Sequence, residues 1–323
     1  MQEYFKEEIR RVAAETGDKP RSLTFAVAAD SHLDDWEQET IAHMRAVDEQ
    51  VHYDFVVHLG DFMTGNLPRG WTARLLGERT RAYLNASGKG VFYPVQGNHD
   101  GYCEPTSEGT RCDMTVDEDW YKATDFTEKY RNVVREKNRP YYYADYSEQK
   151  LRLIFLCSFS YEWTPEGQYR KRYEMSGKQL VWLKKEALAV ATDWTVMLFS
   201  HDGPLQLYDQ ERLEEEPWSG TNRQLFDTVL EAKAAGGFSI AGWFIGHWHG
   251  DLCQVVEGIP FILVGSQTYY VPQLWPMPDT GCYAPRELGD VTRDLWDSVA
   301  WDPASRRLHL TRFGAGQDRT VNY

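Results

Sequence analysis

Five apolar runs in this chain each end on side chains that ligate metal ions. TFAVAA runs into Asp30-Ser31-His32, DFVVHL into Gly60-Asp61, and VFYPVQ into Gly97-Asn98-His99-Asp100. WTVMLFS runs into His201-Asp202, and AGWFI into Gly246-His247-Trp248-His249-Gly250. Each run has the length and β-branched or aromatic content of a buried strand. A fold that fits this pattern must collect strand ends from distant parts of the chain at one edge of a sheet.

The remaining pattern alternates between strand and helix. Strand-like runs fall near 23–29, 54–59, 91–96, 141–146, 151–158, 194–200, 239–245, 251–257, 260–265, 297–302 and 307–313. Helical spacing occupies 2–14, 37–50, 71–86, 117–137, 176–190 and 221–235. Ser176 followed three residues later by Gln179 has the form of a capping box. The first half therefore reads as βαβ units with parallel strands, and the closely spaced strands of the tail as antiparallel. Two segments fit neither period: 101–116 after the third ending, and 203–220 after the fourth, with an acidic run from Glu211 to Glu216. Both leave the sheet edge where the endings lie, a place where loops shape a cleft. Tyr102, Trp120, Tyr121, Trp163, Trp218, Tyr269, Tyr270 and Trp275 crowd these segments and their surroundings, and read as packing of long loops onto the body.

In open α/β sheets, ligands bind beyond the carboxyl ends of the strands. The five endings would gather Asp, Asn and His there without any thiolate. That donor set suits Mn, Fe, Zn, Co or Mg rather than copper(I) or an iron–sulfur cluster. Asp61 follows a glycine that permits a tight turn, and its two oxygens can bridge a pair of ions. His247 and His249, flanked by Gly246 and Gly250, can leave a sharp turn toward different ions. Two divalent cations outweigh two aspartates and a hydroxide, so such a site is locally positive and draws an anion. Paired ions suit in-line displacement at phosphorus, with His99 beside Asn98 as the candidate proton donor. Asp-x-His alone occurs often by chance; the ordered set of five is the specific signal. His43, His52, His58 and His309 lie outside it, and His58 reads as core or as support behind the ligands.

Composition narrows the class. The formal net charge is −14, which at long range repels nucleic acid and anionic membrane surfaces. Hydrophobic content of 42% is enough for a packed core, and no apolar stretch approaches the length of a membrane span. The first twenty residues are charged, with Phe5, Ile9 and Val12 at helical spacing, and read as an amphipathic helix on the body rather than a signal peptide. Cys103, Cys112, Cys157, Cys253 and Cys282 include no CxxC pair. Cys103 and Cys112 are close enough in sequence to bridge, but without an export signal they read as free thiols of a cytoplasmic protein.

The order Asp-x-His, Gly-Asp, Gly-Asn-His-Asp, His, Gly-His-x-His resembles the calcineurin-like metallophosphoesterase superfamily. QLVWLKKEAL and RRLHLTRFGAGQDR are also similar to bacterial members, so the resemblance covers nearly the whole chain, 1–323, as a single domain with inserts near 101–140 and 203–220. It implies a four-layer α/β/β/α sandwich of two stacked mixed β-sheets flanked by helices. It implies two metal ions, with Mn, Fe or Zn foremost. One would be held by Asp30, His32, Asp61 and His249, the other by Asp61, Asn98, His201 and His247. His99 would meet the substrate, beside Asn98, and protonate the leaving group.

Departures from the pattern narrow the subfamily. Gly60-Asp61 is followed by Phe62-Met63-Thr64-Gly65, without the Asp-Arg-Gly of Ser/Thr protein phosphatases, and the third block ends in Asp100 rather than Glu. Thr64 stands where purple acid phosphatases place a Tyr ligand. The Asp that orients the catalytic His in protein phosphatases is missing too, leaving Asp100 and Asp202 as acids that could orient His99. The expectation is a hydrolase of a small phosphomonoester or phosphodiester, with no duplex nucleic acid and no membrane as partner. The alternatives are a non-catalytic metal-binding scaffold on the same fold and a single-strand nuclease.

Overall fold

The structure is a computed structural model. It describes residues 1–65, 67–101, 104–106, 109–111, 117–163, 169–172, 175–203, 222–269 and 285–323. Residues 102–103, 107–108, 112–116 and 204–220 of the two inserts, Cys103, Cys112 and Cys282, and Tyr102, Trp218, Tyr270 and Trp275 therefore lie outside the described residues.

The chain opens with α1 (Glu3–Gly17), β1 (Leu23–Ala28), α2 (Glu37–Val51), β2 (Phe55–His58), α3 (Arg69–Ala82) and β3 (Phe92–Pro94). A short hairpin follows, β4 (Glu104–Thr106) and β5 (Gly109–Arg111), then α4 (Asp117–Ala123). Next come β6 (Val133–Val134), β7 (Tyr142–Tyr146), β8 (Leu151–Phe155) and a second hairpin, β9 (Ser160–Trp163) with β10 (Tyr169–Arg172). Then follow α5 (Gly177–Trp182), β11 (Thr195–Ser200), α6 (Asn222–Gly236) and β12 (Ser239–Ile245). The chain closes with β13 (Cys253–Val256), β14 (Ile259–Leu263), β15 (Leu295–Asp302), β16 (Arg307–Gly314) and β17 (Arg319–Asn322).

Two mixed sheets result. The first has the order β17-β16-β15-β1-β2-β3 and the second β13-β14-β12-β11-β8-β7-β6. β1, β2 and β3 are parallel, as are β8, β11, β12 and β14. The tail strands are antiparallel, and β15 pairs with β1 from Leu23↔Trp301 to Val27↔Asp297.

Strand periodicity sorts the apolar side chains into layers. Successive residues of a strand face opposite ways. Phe25 and Val27 of β1, Phe55 and Val57 of β2, and Met197 and Phe199 of β11 all point into the seam between the sheets. Phe25 meets Phe244 edge-on at a centroid distance of 5.6 Å. The opposite faces of β1 and β2, Ala26, Ala28 and Val56, pack on Phe5, Ile9 and Val12 of α1 and Met44 and Val47 of α2. Val196 and Leu198 of β11 pack on Trp182, Leu183, Leu225 and Val229. With both faces covered, the central strands are mostly apolar. The architecture is the expected four-layer α/β/β/α sandwich. Trp120 and Tyr121 are buried beneath it, as packing residues.

The expected helix over 117–137 is interrupted. α4 ends at Ala123, a 3-10 turn covers Asp125–Lys129, and Val133–Val134 pair with Ala144 and Tyr143 at the edge of the second sheet. The β-branched pair gains ladder bonds there, and strand pairing outweighs local helical spacing. The capping box forms by half: Ser176 Oγ accepts from Gln179 N at 3.3 Å. The Gln179 side chain instead bonds the backbone of Cys157 at 2.9 and 2.8 Å. Among the described residues no helix is long and apolar enough to cross a membrane.

Candidate metal centre

The five endings meet, but they come from two sheets rather than one. Asp30 and His32 follow β1, Asp61 follows β2, and Asn98 and His99 follow β3 of the first sheet; His201 follows β11, and His247 and His249 follow β12 of the second. The parallel strands of both sheets end at the same side of the sandwich, so stacking delivers what a single edge was expected to supply.

Each chain segment turns sharply as it leaves its strand. Asp30, His32, Asp61, His247 and His249 all have positive φ, between 47° and 67°. For non-glycine residues this left-handed conformation costs on the order of 1–3 kcal/mol each and persists only where surrounding structure fixes it. Backbone bonds fix it here. Asp30 N donates to Gly60 O, His32 N to Asp61 O, and Leu33 N to Phe62 O, each at 2.9 Å. Gly246 N donates to His201 O at 3.0 Å. Gly60 (φ +103°) and Gly97 touch: a Cβ on Gly97 would lie 2.1 Å from Asp61 N, so only glycine fits.

Asp100 completes the scaffold. Its carboxylate accepts from the amides of Asp61 (3.1 Å), Phe62 (2.8 Å), Met63 (3.2 Å) and Gly97 (2.7 Å). It therefore ties the second ending to the third and does not orient His99. Asp202 accepts from Gly203 N and from Trp248 Nε1, at 2.8 and 3.2 Å. The partner of the His99 ring is a peptide group: Nδ1 donates to Thr64 O at 2.8 Å. Sequence motifs carry no mark for a carbonyl acceptor, so this partner was not legible beforehand.

Two clusters of donors form, Asp30 with His32 and His249, and Asp61 with His201 and His247; within each, the ligating atoms lie within 4.8 Å of one another. His32 Nε2 is 3.9 Å from Asp30 Oδ1 and 3.8 Å from Asp61 Oδ2. His249 Nε2 is 3.5 Å from Asp30 Oδ1, and His201 Nε2 is 3.2 Å from Asp61 Oδ2. Asp61 thus faces both clusters, while its Oδ1 accepts from His99 N at 2.7 Å.

The tautomers leave lone pairs facing inward. His32 Nδ1 donates to Met63 O (3.1 Å) and His201 Nδ1 to Leu59 O (2.7 Å), the arrangement that aims Nε2 at a metal. His201 Nε2 lies 2.9 Å from Asn98 Oδ1, close enough to donate when the imidazole is protonated, and a metal ion between them would take the place of that proton. A cation satisfies that geometry. Metal–donor bonds of roughly 2.1 Å place neighbouring donors about 3.0–3.4 Å apart. The His32–His249 Nε2 separation is 3.2 Å, in the same range. Oxygen and imidazole donors without sulfur are also the right chemistry for a divalent ion.

Electrostatics agree. Burial lowers His32 and His247 to about 4, so both are neutral at neutral pH. Burial would lower His201 too, but the charges of Asp61 and Asp30 lift it to about 9. Burial opposes ionisation of Asp30 and Asp61, yet His249 beside the first and His201 beside the second hold both below the usual carboxylate range. Two buried anions pulling positive charge toward themselves mark a place for cations.

His58 is fully buried, accepts from Gly60 N at 3.2 Å and stacks on Phe62 at 4.0 Å, which makes it core behind the Asp61 turn. His43 bonds Asp294 at 2.7 Å, away from the clusters.

No curated protein matches the chain. Among solved structures it is similar to a dimetal phosphatase from Danio rerio, at 15% identity and a TM-score of 0.59, covering 94% of this chain and 99% of that one. It is more loosely similar to GAP50, the anchor in the inner membrane complex of Plasmodium (12% identity, 93% and 88% covered, TM-score 0.46). A looser likeness also links it to a phosphopantetheinyl hydrolase from Mycobacterium tuberculosis (16% identity, 83% and 99% covered, TM-score 0.41). The family model for calcineurin-like phosphoesterase matches residues 23–251, from β1 through the turn that carries His247 and His249. That span holds every candidate ligand, and the chain belongs to the calcineurin-like phosphoesterase family.

Proposed function

We propose that the protein hydrolyses a small phosphomonoester or phosphodiester at a dinuclear metal centre. The observation that carries this reading is the pair of donor clusters with the Asp61 carboxylate facing both. Asp30, His32, Asp61 and His249 would hold one ion; Asp61, Asn98, His201 and His247 would hold the other. Mn, Fe and Zn suit these donors best, with Mg and Co also compatible. Bound there, such ions supply Lewis acidity toward phosphoryl oxygens and ease deprotonation of water.

The chain's own residues supply the rest. The Thr64 carbonyl holds the Nδ1 proton of His99, so Nε2 of the imidazolium would be the atom that gives its proton to the departing oxygen as its bond to phosphorus breaks. Asn98, beside His99, would contact the phosphoryl group. The net charge of −14 favours a small anion drawn to a local cationic site over duplex nucleic acid or an anionic membrane as partner. The free thiols Cys157 and Cys253 accord with a cytoplasmic location.

The test is metal-dependent hydrolysis of aryl phosphate mono- and diesters by wild type and Asp61→Ala, with metal content measured on both. The variant is expected to lose more than the roughly 10–100-fold typical of an outer partner of a metal ligand. Unchanged activity in Asp61→Ala rejects the site.

A further inference from the structure

The family match ends at residue 251, yet the Asp30 turn is closed from behind by chain beyond it. After β14, the segment 264–268 meets the chain just past the end of β1. Gln267 N donates to Ala29 O at 2.8 Å, Ser266 Oγ to Asp30 O at 2.8 Å, and Thr268 N to Asp30 O at 3.4 Å. Ser266, Gln267 and Thr268 are all buried. Gln267 Oε1 also accepts from the buried Tyr83 hydroxyl at 2.8 Å. The carbonyls of Ala29 and Asp30 are thus held by this segment, at the residue whose left-handed φ of 56° aims its carboxylate into the first cluster.

One guanidinium organises the segment. Arg286 Nη1 donates to Ser266 O (2.6 Å) and Thr268 O (2.8 Å), and Nη2 to Gln267 O (2.9 Å) and to Arg293 O. Its Nε donates to Thr292 O at 3.1 Å. Each of the five N–H donors of an arginine thereby meets a peptide carbonyl. Thr292 and Arg293 lead into β15, the strand that pairs with β1 on its other flank. Arg286 consequently locks the exit of β14 in the second sheet to the entry of β15 in the first, and Asp30 sits between them.

We propose that Arg286 is a positioning residue for the metal centre: through Ser266–Thr268 it holds the Asp30 turn in the conformation that completes the Asp30–His32–His249 donor set. This rests on the dinuclear reading above. A lysine does not replace it, since one ammonium cannot span five carbonyls in a planar fork. The consequence is a selective one. The Asp61–His201–His247 cluster has further supports in Asp100 and Leu59 and is hydrogen-bonded to Asp30 through the His247 amide, at 3.0 and 3.2 Å, so loss of the clamp weakens the ion at Asp30 more than the other.

Wild type, Arg286→Ala, Arg286→Lys and Ser266→Ala are titrated with Mn²⁺, with free ion followed by electron paramagnetic resonance and thermal unfolding recorded in chelator. Wild type is expected to bind two ions. Both Arg286 variants are expected to lose roughly 10–100-fold in affinity for one ion and clearly less for the other. Ser266→Ala, which deletes a single hydrogen bond to Asp30 O, is expected to lose about 5-fold at the same ion. Ser266→Ala decides the matter if the Arg286 variants do not fold. Two ions bound with wild-type affinities by the folded variants overturn the inference alone. Equal weakening of both ions overturns its selectivity. A wild type that binds fewer than two ions overturns the dinuclear reading and this inference together.

Discussion

His99 donates its Nδ1 proton to a peptide carbonyl rather than to a carboxylate. Thr64 O fixes the ring and its tautomer without placing a full negative charge beside it, and the two acids that sequence put within reach are engaged elsewhere. Asp100 gathers amides, and Asp202 bonds Gly203 N and Trp248 Nε1. If His99 delivers the leaving-group proton, its removal matters in proportion to the basicity of the departing oxygen. His99→Ala is expected to slow hydrolysis of an alkyl phosphate by about 10²–10⁴-fold. A 4-nitrophenyl ester, whose leaving oxygen needs no proton at neutral pH, is expected to lose far less. Rates for the two substrates, measured at equal metal content, check this; an equal loss on both would remove His99 from the proton-transfer role.

At the level of elements, the seam between the sheets sets where the strand ends lie. Phe199 of β11 stacks on Phe155 (5.0 Å) and Phe244 (5.0 Å) and meets Phe25 of the other sheet edge-on at 6.1 Å. Phe199→Ala is expected to destabilise by about 3–5 kcal/mol. It is also expected to weaken metal binding, because β11 delivers His201 two residues later. Urea unfolding with and without Mn²⁺ reads both effects. These central strands were legible because burial on both faces leaves them mostly apolar, and several stop shortly before a candidate ligand. The segment 117–137 was not, because Val133–Val134 find ladder partners that lie outside any local window. The pairing of β15 with β1 and the clamp from Arg286 were hidden for the same reason: long-range contacts between residues with no shared motif. The left-handed turns at Asp30 and His32 left no trace in sequence either, since hydrogen bonds to neighbouring loops, not glycine at those positions, hold them.

Across the whole molecule, the last three strands do more than widen the first sheet. Asp297 of β15 bonds Arg312 of β16 at 2.9 and 3.2 Å and also pairs with Arg319 of β17. Both arginines reach Asp251, just past His249, with Arg312 Nη2 at 2.9 Å. The network therefore joins the tail of the first sheet to the turn that leaves the second. Burial opposes ionisation of Asp297, but Arg312 and Arg319 outweigh it and hold its carboxyl below the usual range. A group depressed in this way contributes stability above its unfolded value of about 3.9. That contribution is lost as pH falls through the folded value, so unfolding is expected to become steeply easier below about pH 4. Asp297→Asn leaves two guanidinium groups short of a buried counter-charge, at an expected cost of about 3–5 kcal/mol near neutral pH. It also removes the proton-linked part of the loss, so wild-type and variant stabilities should converge as pH drops toward 3. Urea unfolding at stepped pH measures the gap; a constant difference from pH 7 to pH 3 would show that Asp297 contributes through packing and not through its charge.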